Sequence, residues 1–422
     1  MTGFLLTAKP LITNDAVVLG ILLLVLAFIF TTAHSSRLFW KRFYTYVPSL
    51  LLCYFIPSLL SSAGLISGEA SNLYFVSSRY LLPASLVLLT LGVDLKGILR
   101  LGPKAVIMFL AGTVGIAFGG PLTVLSIGVF RPDFVGGEGA EAVWRGLATV
   151  AGSWIGGGAN QTAMKEVFGA SDALFSAMIT VDVIVANIWM GVLLYGAGIS
   201  PQMDRLLKAD ASAIESLKAR IESYQAHIRR IPATHELMQV AAVGLGVTGL
   251  AHLLADNIAP WIEAHYPQLD KFSLTSRFFW IIVVATSTGL AFSFTGLREL
   301  EGAGASRVGS IFLYVLVASI GMKMNILEIF RSPELFLLGI VWMSIHVSVL
   351  LFTAWLIKAP FFFVAVGSQA NVGGAASAPI VASAFNPVLA PVGVLLAVLG
   401  YALGTYAAWF CAILMQMASP GA

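Results

Sequence analysis

Apolar residues fill this chain in blocks of about 20, the length a helix needs to cross a hydrocarbon core roughly 30 Å thick. The first block runs from Asp15 to Ala33 and is followed by a basic loop with Arg37, Lys41 and Arg42. Further blocks cover Tyr46–Ile66, where Pro48 and Pro57 predict a kink, Leu73–Leu91, and Pro103–Gly128. In the last of these, Gly112, Gly115, Gly119 and Gly120 predict close packing on another helix. Ser171–Gly198 is a long apolar helix that carries Asp182 and Asn187. After a polar stretch come Leu237–Leu254, Phe278–Phe294, Val308–Ile320, Leu335–Ile357 and Pro387–Gln416.

Two stretches break this pattern. Residues 142–167 contain Gly152-Ser153-Trp154-Ile155-Gly156-Gly157-Gly158-Ala159-Asn160-Gln161-Thr162-Ala163, and residues 359–385 contain Gly367-Ser368-Gln369-Ala370-Asn371-Val372-Gly373-Gly374-Ala375-Ala376-Ser377. Glycine costs about 1 kcal/mol per residue inside a helix. Backbone released from a helix at membrane depth must be satisfied by protein or by a polar cavity. Each stretch therefore reads as a broken helix facing such a cavity.

The broken stretches also align the two halves of the chain. Gly152-Ser153 matches Gly367-Ser368, and Gly157-Gly158-Ala159 with Thr162 matches Gly373-Gly374-Ala375 with Ser377. Gly92-x-Asp94-Leu95 matches Gly321-x-Lys323-Met324, and each of these opens a short amphipathic segment at the membrane surface. The expected organisation is a first repeat over 1–198, a cytoplasmic amphipathic linker over 199–236, and a second repeat over 237–422. In the linker Leu207, Ile214, Leu217, Ile221, Tyr224 and Ile228 recur at helical spacing, predicting a helix with one apolar face. If the broken stretches cross the membrane, each half has six crossings and the repeats are parallel. If they are re-entrant hairpins, each half has five and the repeats are inverted. Cytoplasmic loops carry the excess of Lys and Arg. The hairpin arrangement puts 15 of the 24 basic residues inside, the crossing arrangement 11, so two inverted repeats of about five transmembrane helices, with both termini outside, are expected.

Composition agrees with a membrane protein. Hydrophobic residues make up 58% of the chain and charged ones only 11%, against about a quarter in soluble domains. A net charge of +3 spread over many loops gives no footprint for nucleic acid. Cys53 and Cys411 sit in apolar runs and read as small buried hydrophobes, and Met1–Asp15 lacks a basic region followed by a cleavage site, so no cleavable signal peptide is expected.

Candidate chemistry sits in and beside the broken stretches. A helix N-terminus at mid-membrane offers free N–H groups to a carboxylate, and helix C-terminal carbonyls suit sodium. Gly157, Gly158, Asn160, Gln161, Thr162, Asn371, Gly373, Gly374 and Ser377 are the candidate substrate-binding residues. Asp182 lies roughly 16 Å along its helix, near the middle of the bilayer, where a carboxylate is costly unless paired or functional. It is the candidate sodium ligand or proton carrier, with Asn187, Gly156 and Gln369 as further coupling-ion candidates. Arg79 is expected to snorkel to the outer surface and His346 to make a helix–helix hydrogen bond. Asp94 and Lys323 mark the membrane surface. No His-Glu-x-x-His or Gly-x-Ser-x-Gly occurs at membrane depth, so the pattern points away from an enzyme and calls for no cofactor beyond a coupling ion.

These motifs resemble the cation:proton antiporter/anion transporter superfamily. Glycine-rich hairpins with both termini outside are similar to those of glutamate:sodium and 2-hydroxycarboxylate:sodium symporters. The run from Gly152 to Lys165, with Asp182 on the next helix, resembles the YjcL-like membrane family (domain of unknown function 819). The resemblance implies a scaffold and a mobile core, elevator-type alternating access, coupling to sodium or protons, a homodimer, and a place in the cell inner membrane. The tip reads Gly-Gly-Gly-Ala-Asn, which departs from the 2-hydroxycarboxylate pattern, so citrate-like substrates do not carry over. The expectation is a sodium-coupled symporter of a small organic anion or amino-acid-like solute, with a cation/proton antiporter as the alternative.

Overall fold

The computed structural model describes residues 10–47, 49–68, 70–94, 98–99, 101–209, 214, 232–272, 274–323, 334–386 and 389–420. Helices and their connecting turns account for all regular structure among the described residues. We number the principal helices α1 (Asp15–Ala33), α2 (Leu38–Tyr46), α3 (Ser49–Ser62), α4 (Leu73–Leu91), α5 (Pro103–Gly128), α6 (Val143–Phe168), α7 (Asp172–Gly198) and α8 (Ser200–Leu206). They continue as α9 (Thr234–His265), α10 (Arg277–Phe292), α11 (Ala305–Gly321), α12 (Leu335–Ile357), α13 (Phe361–Val372), α14 (Gly374–Phe385) and α15 (Ala390–Ala418). Seven of them (α1, α4, α5, α7, α9, α12 and α15) are long and apolar enough to cross a membrane, so this is a multi-pass membrane protein.

Local chemistry sets the helix starts. The Asn14 side chain accepts from the N–H groups of Ala16 and Val17, Ser171 from Leu174, and Ser276 from Phe279, each satisfying donors that a helix start leaves free. Inside α4 a π-turn spans Ser77–Leu81, just before Pro83. Proline has no N–H to give the carbonyl four residues back, here that of Arg79. The His252 ring of α9 bonds that carbonyl instead, at 2.9 Å.

The helices pack as two groups. In one, α4 lies against α9, α10 and α11, and α11 also packs on α1 and α3. In the other, α5, α6, α7, α12, α13, α14 and α15 pack together, with α6 running along α15 and α12 along α5. The glycines of α5 make the second contact possible: a side chain at Gly115 would meet His346, and one at Gly119 or Gly120 would meet Trp342. The two groups touch where α4 and α10 meet α6 and α15.

Several boundaries differ from the sequence pattern. The basic loop after α1 holds a helix, α2, whose Trp40, Phe43 and Tyr44 rings pack on one another, and the Tyr44 hydroxyl bonds Thr32 of α1 at 2.6 Å. Nine residues with two charges gave no apolar block to read. Helix α9 runs past Leu254 to His265, because Ala255, Ala259 and Ile262 continue its buried stripe through the charges at Asp256 and Glu263. Most of the predicted linker helix and of the amphipathic segments after Gly92 and Gly321 lies outside the described residues.

Close backbone packing joins α6 to α15, where the Cα atoms of Gly156 and Gly404 face each other and a Cβ on Gly404 would overlap Gly156. Gly404→Val is expected to cost about 1–3 kcal/mol through overpacking. The thermal unfolding midpoint of purified protein measures it, and an unchanged midpoint would contradict this contact.

Candidate functional site

Both broken stretches double back on themselves. In α6 the helix stops at Gly157, whose φ of 74° and ψ of −177° an L side chain rarely adopts. The two arms then lie side by side. Trp144 near the start stacks edge-on against Phe168 at the end, with ring centroids 5.6 Å apart, and the Arg145 guanidinium donates to the Phe168 carbonyl. In a continuous helix these residues would be roughly 35 Å apart. The second stretch repeats the arrangement. Helices α13 and α14 meet at Gly373, and Phe362 at one outer end packs on Phe385 at the other, 5.4 Å between centroids.

The two pairs of arms come from opposite ends of α7. At its start, Asp172 lies 2.5 Å from Lys165 of the second arm of α6. Just past its end, in α8, the Asp204 carboxylate caps α13 by accepting from the Phe361 N–H at 2.7 Å. Each arm has 11 to 14 residues, so each reaches about half of a bilayer core. The tips converge on α15. A Cβ on Gly400 would lie 2.8 Å from the Ile155 carbonyl of one arm and 3.6 Å from the Ala370 carbonyl of the other. The Tyr401 ring packs against Gly157, and its hydroxyl faces the Ala375 backbone. Added side chains at Gly158 and Gly374 would meet nothing within 4 Å, so both tips border open space.

Two asparagines hold the arms in place. The Asn160 amide donates to the Gly156 and Tyr401 carbonyls and accepts from Thr405 at 2.6 Å. Asn371 donates to the Phe109 and Gly367 carbonyls and accepts from Thr113 at 2.8 Å. Both are fully buried with these bonds made internally. They satisfy backbone carbonyls around the breaks rather than facing the opening. Thr162 bonds the Gly158 carbonyl of its own arm.

Asp182 is the centre of a second cluster. Its carboxylate accepts from the Ser153 hydroxyl at 2.6 Å, the Trp154 indole at 2.7 Å and the Gln161 amide at 3.0 Å. These donors come from both arms of α6, so the carboxylate clasps the folded-back pair to α7. Charge-assisted bonds of this length are about twice as strong as neutral ones. The corresponding serine of the second stretch, Ser368, is held by the Trp189 indole and the His346 ring, each at 2.8 Å, while the other nitrogen of His346 bonds the Gly112 carbonyl. His346 thus makes the expected helix–helix hydrogen bond.

The remaining candidates separate. Asn187 bonds only the Val183 carbonyl of its own helix and does not reach the Asp182 cluster. Gly156 packs on Gly404, and Gln369 lies over the second tip, donating to Ser377 at 2.7 Å. Arg79, near the start of α4, pairs with Glu166 at 3.0 Å and lies over the Phe278 ring. That pair, with Lys323–Asp172 at 3.6 Å and the bond from Lys165 to the Tyr74 hydroxyl, ties α4 and α11 to the outer ends of α6 and α7. Asp94 pairs with Arg298 at 2.9 Å at the opposite end of α4. Trp154, Ser368, Trp189, Tyr401, Thr113 and Thr405 were not singled out from the sequence, because each reads as an ordinary core residue until its partner is known.

Residues 20–418 match the model of a family described as "Protein of unknown function (DUF819)", and the chain belongs to that family. A comparison with the curated proteins found no match.

The Asp182 clasp has a measurable consequence. Asp182→Leu leaves three buried donors without an acceptor, at about 1–3 kcal/mol each, whereas Trp154→Phe removes one donor and one bond. Unfolding of the purified variants is expected to rank Asp182→Leu well below Trp154→Phe. Equal stability of Asp182→Leu and wild type would show that the clasp is not formed.

Proposed function

We propose that this DUF819 member is a secondary active transporter that symports a small solute with sodium, by elevator-type alternating access in a cell membrane. The observation that carries the proposal is the pair of folded-back, glycine-tipped elements that approach each other from opposite ends of α7 and come together at Gly400 and Tyr401. Broken elements in matching places of two halves, with tips at mid-membrane, form the binding sites of such transporters. In this reading α6 and α13–α14 are re-entrant hairpins of two inverted repeats, 1–198 and 237–422. The exchange of packing partners supports a two-fold relation between the halves, since α4 packs on α10 as α11 packs on α3, and the entry of the two pairs of arms from opposite ends of α7 supports the inversion. The basic loops around residues 37–42, 298–307 and 358 lie at the same end of the helices, which by the positive-inside rule is cytoplasmic and puts both termini outside.

The group α5–α7 with α12–α15 would be the moving core, and α1, α3, α4 and α9–α11 the scaffold. The solute would bind at Gly157, Gly158, Gly373, Gly374 and Ser377. Asp182 is the only Asp, Glu, Lys or Arg within residues 173–203 and is the candidate for coupling to sodium. Cation/proton antiport through the same carboxylate is the second reading, since a buried carboxylate on a membrane helix can carry a proton as well as hold sodium. Against it, the broken stretches contain no carboxylate before Glu166.

Two experiments test the proposal. Gly157→Val forces a β-branched residue into a left-handed turn beside Tyr401, and is expected to abolish solute uptake into proteoliposomes while folded protein remains in the membrane. Retained uptake would exclude the tip as the binding site. Separately, Arg79→Cys and Glu166→Cys, whose backbones the two long side chains hold too far apart for a direct disulfide, can be joined by a bifunctional methanethiosulfonate; this would staple core to scaffold and is expected to stop sodium-driven uptake until reductant is added. Undiminished uptake in the cross-linked protein would rule out core movement.

A further inference from the structure

Gln369 is 2% exposed, and its Oε1 is buried with no hydrogen-bond partner among the described residues, while its Nε2 donates to Ser377. Turned end for end, the amide would leave Nε2 unpartnered instead, so one polar end is unsatisfied in either orientation. Such a group costs about as much as the desolvation of a polar atom, and native proteins rarely leave one unexplained. It lies directly over the second tip, where a Cβ on Gly373 would overlap both the Gln369 amide and the Ser377 hydroxyl. The tip it covers continues into the open space at Gly374 and the N-terminal N–H groups of α14, which the Tyr401 hydroxyl faces at Ala375; the Tyr401 ring in turn borders the first tip at Gly157.

Formal charge is missing from the same region. Residues 359–422, 105–130 and 146–164 contain no Asp, Glu, Lys or Arg. Asp182, clasped between α6 and α7, is taken by the coupling ion in the transporter reading. A dicarboxylate or a free cation would be desolvated there with no opposite charge among these residues, at a cost of several kcal/mol. A zwitterion brings its own counter-charge. We infer that, within the transporter reading on which this rests, the tip site takes a zwitterionic solute of zero net charge, an α-amino acid with an uncharged side chain. Its ammonium donates to Gln369 Oε1, and its carboxylate lies at the helix N-termini of the tips beside the Ser377 hydroxyl.

The test is direct binding to the purified full-length protein by thermal shift and calorimetry. Serine, glutamine and leucine serve as zwitterionic probes, succinate and citrate as anionic ones, and putrescine as a cationic one, each with and without sodium. At least one zwitterion is expected to bind saturably, while succinate, citrate and putrescine do not. Gln369→Leu is expected to weaken that binding about tenfold. Ser377→Ala, a smaller change at a partly exposed position, is expected to weaken it several-fold and guards against a Gln369 variant that fails to fold. Binding of succinate, citrate or putrescine alone, binding of none of the probes, or an unchanged Kd in both variants would overturn the inference. Proteoliposome uptake of the same probes separates the two proposals. Saturable zwitterion binding without uptake would sink the transporter reading and leave the site, and uptake of succinate would do the reverse.

Discussion

Every backbone N–H and C=O at membrane depth must find a partner within the protein, and the architecture follows from the two places where this chain breaks its helices. At Gly157 and Gly373 the backbone turns back, and the ladder of helical hydrogen bonds is interrupted. Asn160 donates to the Gly156 carbonyl at the first break, Asn371 to the Gly367 and Phe109 carbonyls beside the arm that leads to the second, and each accepts from a threonine on a neighbouring helix. Those threonines, Thr405 and Thr113, lie on the long helices α15 and α5 that carry the two pairs of arms. The breaks are thus stabilised by the same helices that bring the tips together at Gly400.

The Asp182 clasp adds a second level. The neutral serine, tryptophan and histidine contacts around Ser368 hold the second stretch, while a carboxylate holds the first. The two halves share a backbone plan and differ in charge. The Arg79–Glu166 and Lys323–Asp172 pairs also connect the α6–α7 side of this group to α4 and α11, so under the proposed elevator motion they would have to exchange for other partners.

Much of this was legible in the sequence because membrane helices announce themselves by length and hydropathy. The blocks at Asp15–Ala33, Leu73–Leu91, Pro103–Gly128 and Leu335–Ile357 coincide with observed helices. The glycine-rich breaks were visible as local violations of helix propensity. Partners were not. Asn160 and Asn371 read as solute ligands because an amide at a break is polar wherever it points, and only the positions of Thr405 and Thr113 reveal that both amides are used internally. The partner of Arg79 was hidden too, since Glu166 is 87 positions away and reaches it only because α6 folds back. Asn187, five residues from Asp182 on a helix of 3.6 residues per turn, points elsewhere.

The central claim is that the two folded-back elements enter from opposite faces of the membrane. Single cysteines at the exposed positions Glu141, just before α6, and Ala384, in the last turn of α14, report it through labelling with a membrane-impermeant thiol reagent in sealed vesicles of known orientation. The account requires Glu141→Cys to react only from the outside and Ala384→Cys only from the inside. Labelling of both from the same side would contradict it.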